Sequence, residues 1–301
     1  PYTYTNPNLT ANTTYYYKIS GVNATGEGEL SVSTSATTVA NTNPVVVSNT
    51  LIQKTTDNIT IGWAIWTNRQ EFNLSFAIND PDNDNVGYQI RVSTYNDFSS
   101  NFIDYTPGSY DTSGTTFTYI TSALPEATSW YWQVRGFDQY YGTGTWVTAN
   151  SGGIALRIDT TSPNTFDLVA PASATWTNTN TVTFQWQAST ETGSGLAKYQ
   201  LWGDGNLVED NISPTQTSTT TFAPTGFHSW YMKAIDNANN VGQSIQTWTI
   251  GIDTTPPAAF NLSSPTDNSW QTTNTVNFQW SPSADATGSG LAEYELWLDT
   301  T

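Results

Sequence analysis

The chain of 301 residues sets 25 Asp and Glu against 8 Lys and Arg, a formal net charge of −17, and contains no Cys. That balance excludes the basic footprint a nucleic-acid binder needs and disfavours anionic lipid. It suits a soluble exterior and attracts divalent cations. No disulfide supports the fold, so each domain must stand on buried apolar area, supplied largely by 13 Trp, 16 Tyr and 12 Phe.

No run approaches the roughly 20 apolar residues of a membrane span. Strand signals run the whole length instead, punctuated by turn residues, and no long stretch holds a helical apolar period. TTYYYKISGVNATGEG (Thr13–Gly28) is an aromatic-rich strand entering a polar loop closed by Gly. NTNPVVV (Asn41–Val47) is a linker, because Pro fixes φ near −65° and stiffens a short connection. Val47–Gln70 is expected to form a long first strand or hairpin.

EFNLSFAIN (Glu71–Asn79) then puts Phe72, Leu74, Phe76 and Ile78 on one face, and VGYQIRVS (Val86–Ser93) does the same with Val86, Tyr88, Ile90 and Val92. Such period-two alternation means one face on a core and the other in water. SWYWQVRGFDQYYG (Ser129–Gly142) repeats the aromatic strand and its loop. IDTTSP (Ile158–Pro163) next opens a passage containing TVTFQW (Thr181–Trp186), TGSGLAKYQLW (Thr192–Trp202) and HSWYMKAIDNANNVG (His228–Gly242). The passage starts again as IDTTPP (Ile252–Pro257), TVNFQW (Thr275–Trp280) and TGSGLAEYELW (Thr287–Trp297).

The offset of early and late strands sets the expected boundaries. Residues 1–41 form the C-terminal half of a domain, 42–157 and 158–251 two complete domains, and 252–301 the N-terminal half of a further repeat. One sandwich cannot grow indefinitely around one core, so length is gained by stringing modules through stiff joints. PYTYTNPNLT has neither the basic start nor the apolar core of a signal peptide. The ragged ends suggest a window on a longer array. A second reading has the two halves complete one another between neighbouring chains, head to tail, as a filament.

These residues resemble fibronectin type III and related bacterial Ig-like modules. The matching positions are Trp186 and Trp280 on strand B, Tyr88, Tyr199 and Tyr294 on strand C, and Tyr15, Trp130 and Trp230 near the start of strand F. LTANTTY (Leu9–Tyr15) also resembles the family's Leu-to-Tyr spacing, where the Tyr hydroxyl pins a loop. The resemblance implies an all-β fold, a string of tandem seven-stranded sandwiches. One departure is that the first complete domain carries Phe72, Leu74 and Phe76 on strand B and no Trp.

Catalysis finds little support: His228 is the one histidine, and no G-x-S-x-G, H-E-x-x-H or Walker loop is present. Calcium is the best chemical candidate. DPDNDN (Asp80–Asn85) offers Asp80, Asp82 and Asp84 at alternate positions, as hard oxygen ligands require. Asp138 ends strand F, whose following loop shares a pole of the sandwich with the B–C loop, and should approach that cluster. The same logic gathers Asp159, Glu191, Asp236 and Asn237 in the next domain. The alternative is that Asp and Asn merely cap turns through their own backbone.

Of the aromatics, Trp63, Trp66, Tyr140 and Tyr141 are candidates to stack on sugars, with Tyr140 and Tyr141 on an expected loop tip. Asn8, Asn12, Asn23, Asn58, Asn73, Asn211 and Asn261 stand in N-x-S/T sequons. Two functional expectations follow. One is a non-catalytic extracellular or cell-surface repeat protein, a stalk, adhesin segment or filament subunit. Its partners would be neighbouring modules of the same protein, glycans or a cell surface. The other is a set of accessory modules of a secreted polysaccharide-degrading enzyme.

Overall fold

The computed structural model describes residues 2–100, 102–286 and 288–299. They divide into two compact units, 1–158 and 159–301. The fold is all-β, and the helical turns among the described residues are two short 3-10 segments, Ser48–Thr50 and Ala149–Gly152.

In the first unit the alternating sequences become β1 (Ile52–Thr55), β2 (Phe72–Asn79), β3 (Val86–Ser93), β4 (Ile103–Tyr105), β5 (Thr116–Ile120), β6 (Ala127–Asp138) and β7 (Leu156–Ile158). One sheet sets β2 between β5 and β1, with Val45–Val46 also paired to β2. The other runs β4–β3–β6–β7. In family terms these are sheets A–B–E and C′–C–F–G, the sandwich arrangement that the resemblance implied. The inward positions of β2 and β3 are buried as their period requires. Phe76 meets Tyr88 edge-on at 5.0 Å across the core, a favoured aromatic geometry.

The second unit repeats the plan with β8 (Leu168–Ala170), β9 (Thr181–Trp186), β10 (Leu196–Gly203), β11 (Asn206–Ile212), β12 (Ser218–Phe222), β13 (Gly226–Asp236) and β14 (Trp248–Ile252). Its sheets are β8–β9–β12 and β11–β10–β13–β14. Phe184 packs on Trp230 at 4.8 Å and Trp186 on Tyr199 at 5.3 Å. The buried clusters of the two sandwiches are separate, one drawn from Val46–Ile158 and one from Phe166–Ile252.

The missing strand-B Trp of the first sandwich has a replacement. Ile78 takes the last inward place of β2, as Trp186 does on β9. On β6, Trp132 stands where β13 has Met232, its ring 6.5 Å from Phe76. The large ring has crossed from one sheet to the other, and the volume is filled from the opposite side. Trp132 Nε1 donates to Gln53 Oε1 at 3.3 Å, which satisfies its polar edge.

Val47–Gln70 is neither one long strand nor a simple hairpin. After β1 pairs with β2, the chain crosses over, and Trp66–Thr67 pairs parallel with β7 in the other sheet. Thr175–Thr177 does the same with β14 in the second sandwich. The opening of each module thus touches both sheets.

Residues 2–40 form a short ladder of Thr14–Tyr17 with Thr34–Thr37, and Tyr15 Oη accepts the Thr10 amide at 2.8 Å. That is the pinned loop the Leu-to-Tyr spacing implies. In 253–299, Leu262–Ser264 pairs with Gln279–Trp280. There the counterparts of buried residues face water: Trp280 is 38% exposed against 2% for Trp186, and Tyr294 37% against 0% for Tyr199.

Candidate metal centre

The loop between β2 and β3 folds back on Asp80. Asp80 Oδ1 accepts the amides of Asp82 at 2.8 Å and Asp84 at 3.3 Å, while Asn83 takes φ 60° at the tip. This is the Asx turn that such sequences favour, and it brings three carboxylates together. One oxygen each from Asp80, Asp82 and Asp84 lies within 4.8 Å of the others. Asp80 is 4% exposed, and its Oδ2 is buried without a hydrogen-bond partner.

Asp138, at the end of β6, is also buried. Its Oδ1 accepts the amides of Tyr140 at 2.7 Å and Gly142 at 2.9 Å, and its Oδ2 accepts Asn41 Nδ2 at 2.9 Å. A Cβ on Gly142 would fall 2.0 Å from Asp138 Oδ2, so glycine is required for this approach. Asp82 Oδ2 accepts the Thr42 amide at 2.6 Å. Asp84 is held above its ordinary range, by desolvation first and then by the charges of Asp80, Asp138 and Asp82. Among the described residues, Arg69 pairs with Asp57 and Arg91 with Asp104, carboxylates outside this cluster.

The second sandwich gathers Asp159, Glu191 and Asp236 to the same spacing, within 4.8 Å. Here the carboxylate oxygens are well served. Asp159 Oδ1 and Oδ2 accept the amides of Thr161 at 3.0 Å and Ser194 at 2.6 Å. Glu191 accepts those of Gly193 and Gly195. Asp236 Oδ1 accepts Ala238 and Asn240 amides, each at 2.8 Å, and Oδ2 accepts Asn240 Nδ2 at 2.8 Å. Burial pushes the Asp236 carboxyl up and the Asp159 charge adds to it, against the Asn240 hydrogen bonds. Asn237 Nδ2 donates to the carbonyls of Ser194 and Gly195.

The turn after strand F follows one rule in both modules. The terminal Asp accepts amides two and four residues on, and the residue three on is left-handed: Tyr141 at φ 74° and Asn239 at φ 70°. Sequence reasoning missed three partners: Asn41, Thr42 and Asp253. Asp253 repeats the role of Asp159, its Oδ2 accepting the Ser289 amide at 2.7 Å beside Gly288. The doubled IDTT sequence was the signal that places it.

Tyr140 and Tyr141 stand 61% and 94% exposed on the loop that follows Asp138. Trp63 is partly exposed, and Trp66 is half-buried under the Arg157 guanidinium, 5.7 Å from its ring centroid. His228 has both ring nitrogens engaged, Nδ1 2.7 Å from Asp204 Oδ2 and Nε2 3.0 Å from the Pro224 carbonyl. A cavity of about 130 Å³ lies beside it, lined by Phe184, Leu201, Trp230 and Ile250 among others.

The chain is 28% identical over 245 residues to Exoglucanase B of Cellulomonas fimi, an alignment that covers 79% of this chain and 20% of that protein. It thus spans about a fifth of the length of the curated relative it matches. No family model matches. Among solved structures it is similar to the CbhA fibronectin(III)-like modules of Clostridium thermocellum, at 13% identity and TM-score 0.39, over 69% of this chain and 93% of that one. It is also similar to the FN1–FN3 domains of chicken CNTN1, at 17% identity and TM-score 0.37, over 81% and 79%.

Proposed function

We propose that these sandwiches are non-catalytic modules of an extracellular protein, spacing or presenting other parts of it. One observation carries this reading: the same closed sandwich is built twice, each copy spending its strands on its own aromatic core. Incubation of the chain with soluble and insoluble glucans tests the reading. Release of reducing sugar, abolished by neutralising an acidic pair, would replace it with an enzyme.

Of the two forms such a protein could take, a surface stalk or an appendage of a secreted polysaccharide-degrading enzyme, the match to Exoglucanase B fits the appendage. The coding sequence on either side separates them: a hydrolase domain supports the appendage, and further repeats alone support the stalk. In the appendage reading, Tyr140 and Tyr141 offer two exposed rings on one loop for stacking on sugar. Sedimentation with insoluble polysaccharide, lost on Tyr140→Ala with Tyr141→Ala, would support that contact, and undiminished sedimentation would refute it.

A further inference from the structure

We propose that Asp80, Asp82 and Asp84 bind one calcium ion that fastens the segment at Thr42 to the first sandwich. Asp80 Oδ1 already serves two backbone amides, yet Asp80 Oδ2, sealed from solvent, meets no donor among the described residues. A buried, charged oxygen without a partner is far costlier than a neutral one. The second sandwich shows what a satisfied version looks like, since donors there reach both oxygens of Asp159, Glu191 and Asp236. The first pole has the same crowding of carboxylates and lacks the donor.

A cation supplies what is missing. The cluster offers carboxylate oxygen, without imidazole or thiolate, so it suits a hard ion and not zinc or copper. Asp82 is exposed and Asp84 half-exposed, which leaves room for water to complete a shell of six to eight oxygens. An adaptable shell of that kind favours calcium over magnesium, which demands a near-ideal octahedron.

The consequence reaches the linker. The Thr42 amide donates to Asp82 Oδ2, Asn41 Nδ2 to Asp138 Oδ2, and the Thr143 amide to Asn43 Oδ1. An ion that fixes Asp82 therefore fixes Thr42, and with it the segment leading into the sandwich.

Calorimetric titration of the full chain with calcium chloride tests the proposal, expecting a site with Kd on the order of 10⁻⁴ M, as in extracellular calcium modules. Asp80→Asn with Asp84→Asn should weaken that site about tenfold or more, because affinity follows ligand charge. Asp159→Asn with Asp236→Asn should leave it in place. In EDTA the Asp80/Asp84 variant should melt no lower than the parent, since neutralising crowded carboxylates relieves repulsion. With calcium present it should lack the parent's rise in melting temperature. A purely structural role for the cluster would instead lower melting equally in both conditions, and that result overturns the proposal. So does binding that survives in the Asp80/Asp84 variant. Where that variant fails to fold, hydrogen exchange on the unmodified chain decides. Calcium must slow exchange at the amides of Thr42, Asp82 and Asp84, and unchanged rates overturn the proposal.

Discussion

Removing one oxygen atom, by Tyr199→Phe, separates the worth of a hydrogen bond from that of the ring that carries it. Tyr199 Oη accepts the Ser189 amide at 2.7 Å, and both residues are buried. Its ring contacts, edge-on to Trp186 at 5.3 Å and Phe166 at 5.6 Å, survive in phenylalanine. What changes is that the Ser189 amide loses its acceptor in a place water does not reach. A stranded buried donor costs about 1–3 kcal/mol, and relief of the hydroxyl's own desolvation leaves about 1–2 kcal/mol. The chain holds its own control. Tyr294 Oη accepts the Ser283 amide at 2.9 Å, with Phe260 and Trp280 at 5.2 and 5.3 Å. That tyrosine is 37% exposed, so water replaces its hydroxyl and Tyr294→Phe should cost less than about 0.5 kcal/mol. Hydrogen exchange read by mass spectrometry gives the local opening free energy. Peptides from β13 should lose about 1–2 kcal/mol in Tyr199→Phe, while peptides covering 275–297 should barely respond to Tyr294→Phe. Equal losses at the two sites, or an unmoved β13, would refute the claim that burial sets the value of this bond.

Gly193→Ala drives a Cβ to 2.5 Å from Asp159 Cγ and should cost the second sandwich about 1–3 kcal/mol in urea unfolding. Adding Asp159→Ala should recover part of that loss, and strictly additive losses would show the clash is not the cause. Gln53→Leu strands the buried Trp132 indole N–H and takes one donor from the buried Ala155 carbonyl, which keeps the Ala64 amide, and one from the Gly62 carbonyl. Denaturation of the first sandwich should move by about 2–4 kcal/mol while the second holds; a shift under about 1 kcal/mol contradicts the network. Asp210 sits at a pKa of about 2, chiefly through its hydrogen bond with Lys198 and then those with Gln200 and the Asn211 amide. Because its folded pKa is depressed, the unfolded chain takes up the proton first. The stabilisation is intact above the ordinary value of 3.8 and is lost as pH falls from there towards 2. Asp210→Asn should flatten stability against pH across that window, and an unchanged acid slope would remove the assignment.

The strands that alternate strictly were legible from the residues alone, because burial of one face imposes period two wherever it occurs. Phe72 through Ile78 and Val182 through Trp186 are instances. The resemblance carried the ring positions Trp186, Tyr199 and Trp230 into the core. The crossing of the first strand was not legible, since Trp66–Thr67 finds its partner in Arg157–Ile158, far along the chain, and two residues carry no period. Nor was the move of a ring from β2 to β6, because a core asks for volume and does not ask which sheet supplies it. At the poles, the grouping of Asp80, Asp82 and Asp84 followed from their spacing, and that of Asp159, Glu191 and Asp236 from the shared ends of strands. The backbone donors that separate the two groups leave no mark in the residue types.

The parallel contact near the start of each module decides how that module meets tension. In the second sandwich Thr175 lies opposite Ile250, Trp176 opposite Gly251 and Thr177 opposite Ile252, and both strands run in one direction. The chain reaches this segment after β8 and leaves the module just after β14, so once β8 has come away, pulling the two ends apart slides one strand past the other. The Ala174 and Asp253 amides, each 2.9 Å from its acceptor across the same seam, share that load. Bonds loaded in shear must give way together, whereas a hairpin peeled from its end surrenders them singly. A force-extension trace of the intact chain should therefore show tall, separate rupture peaks for the two sandwiches.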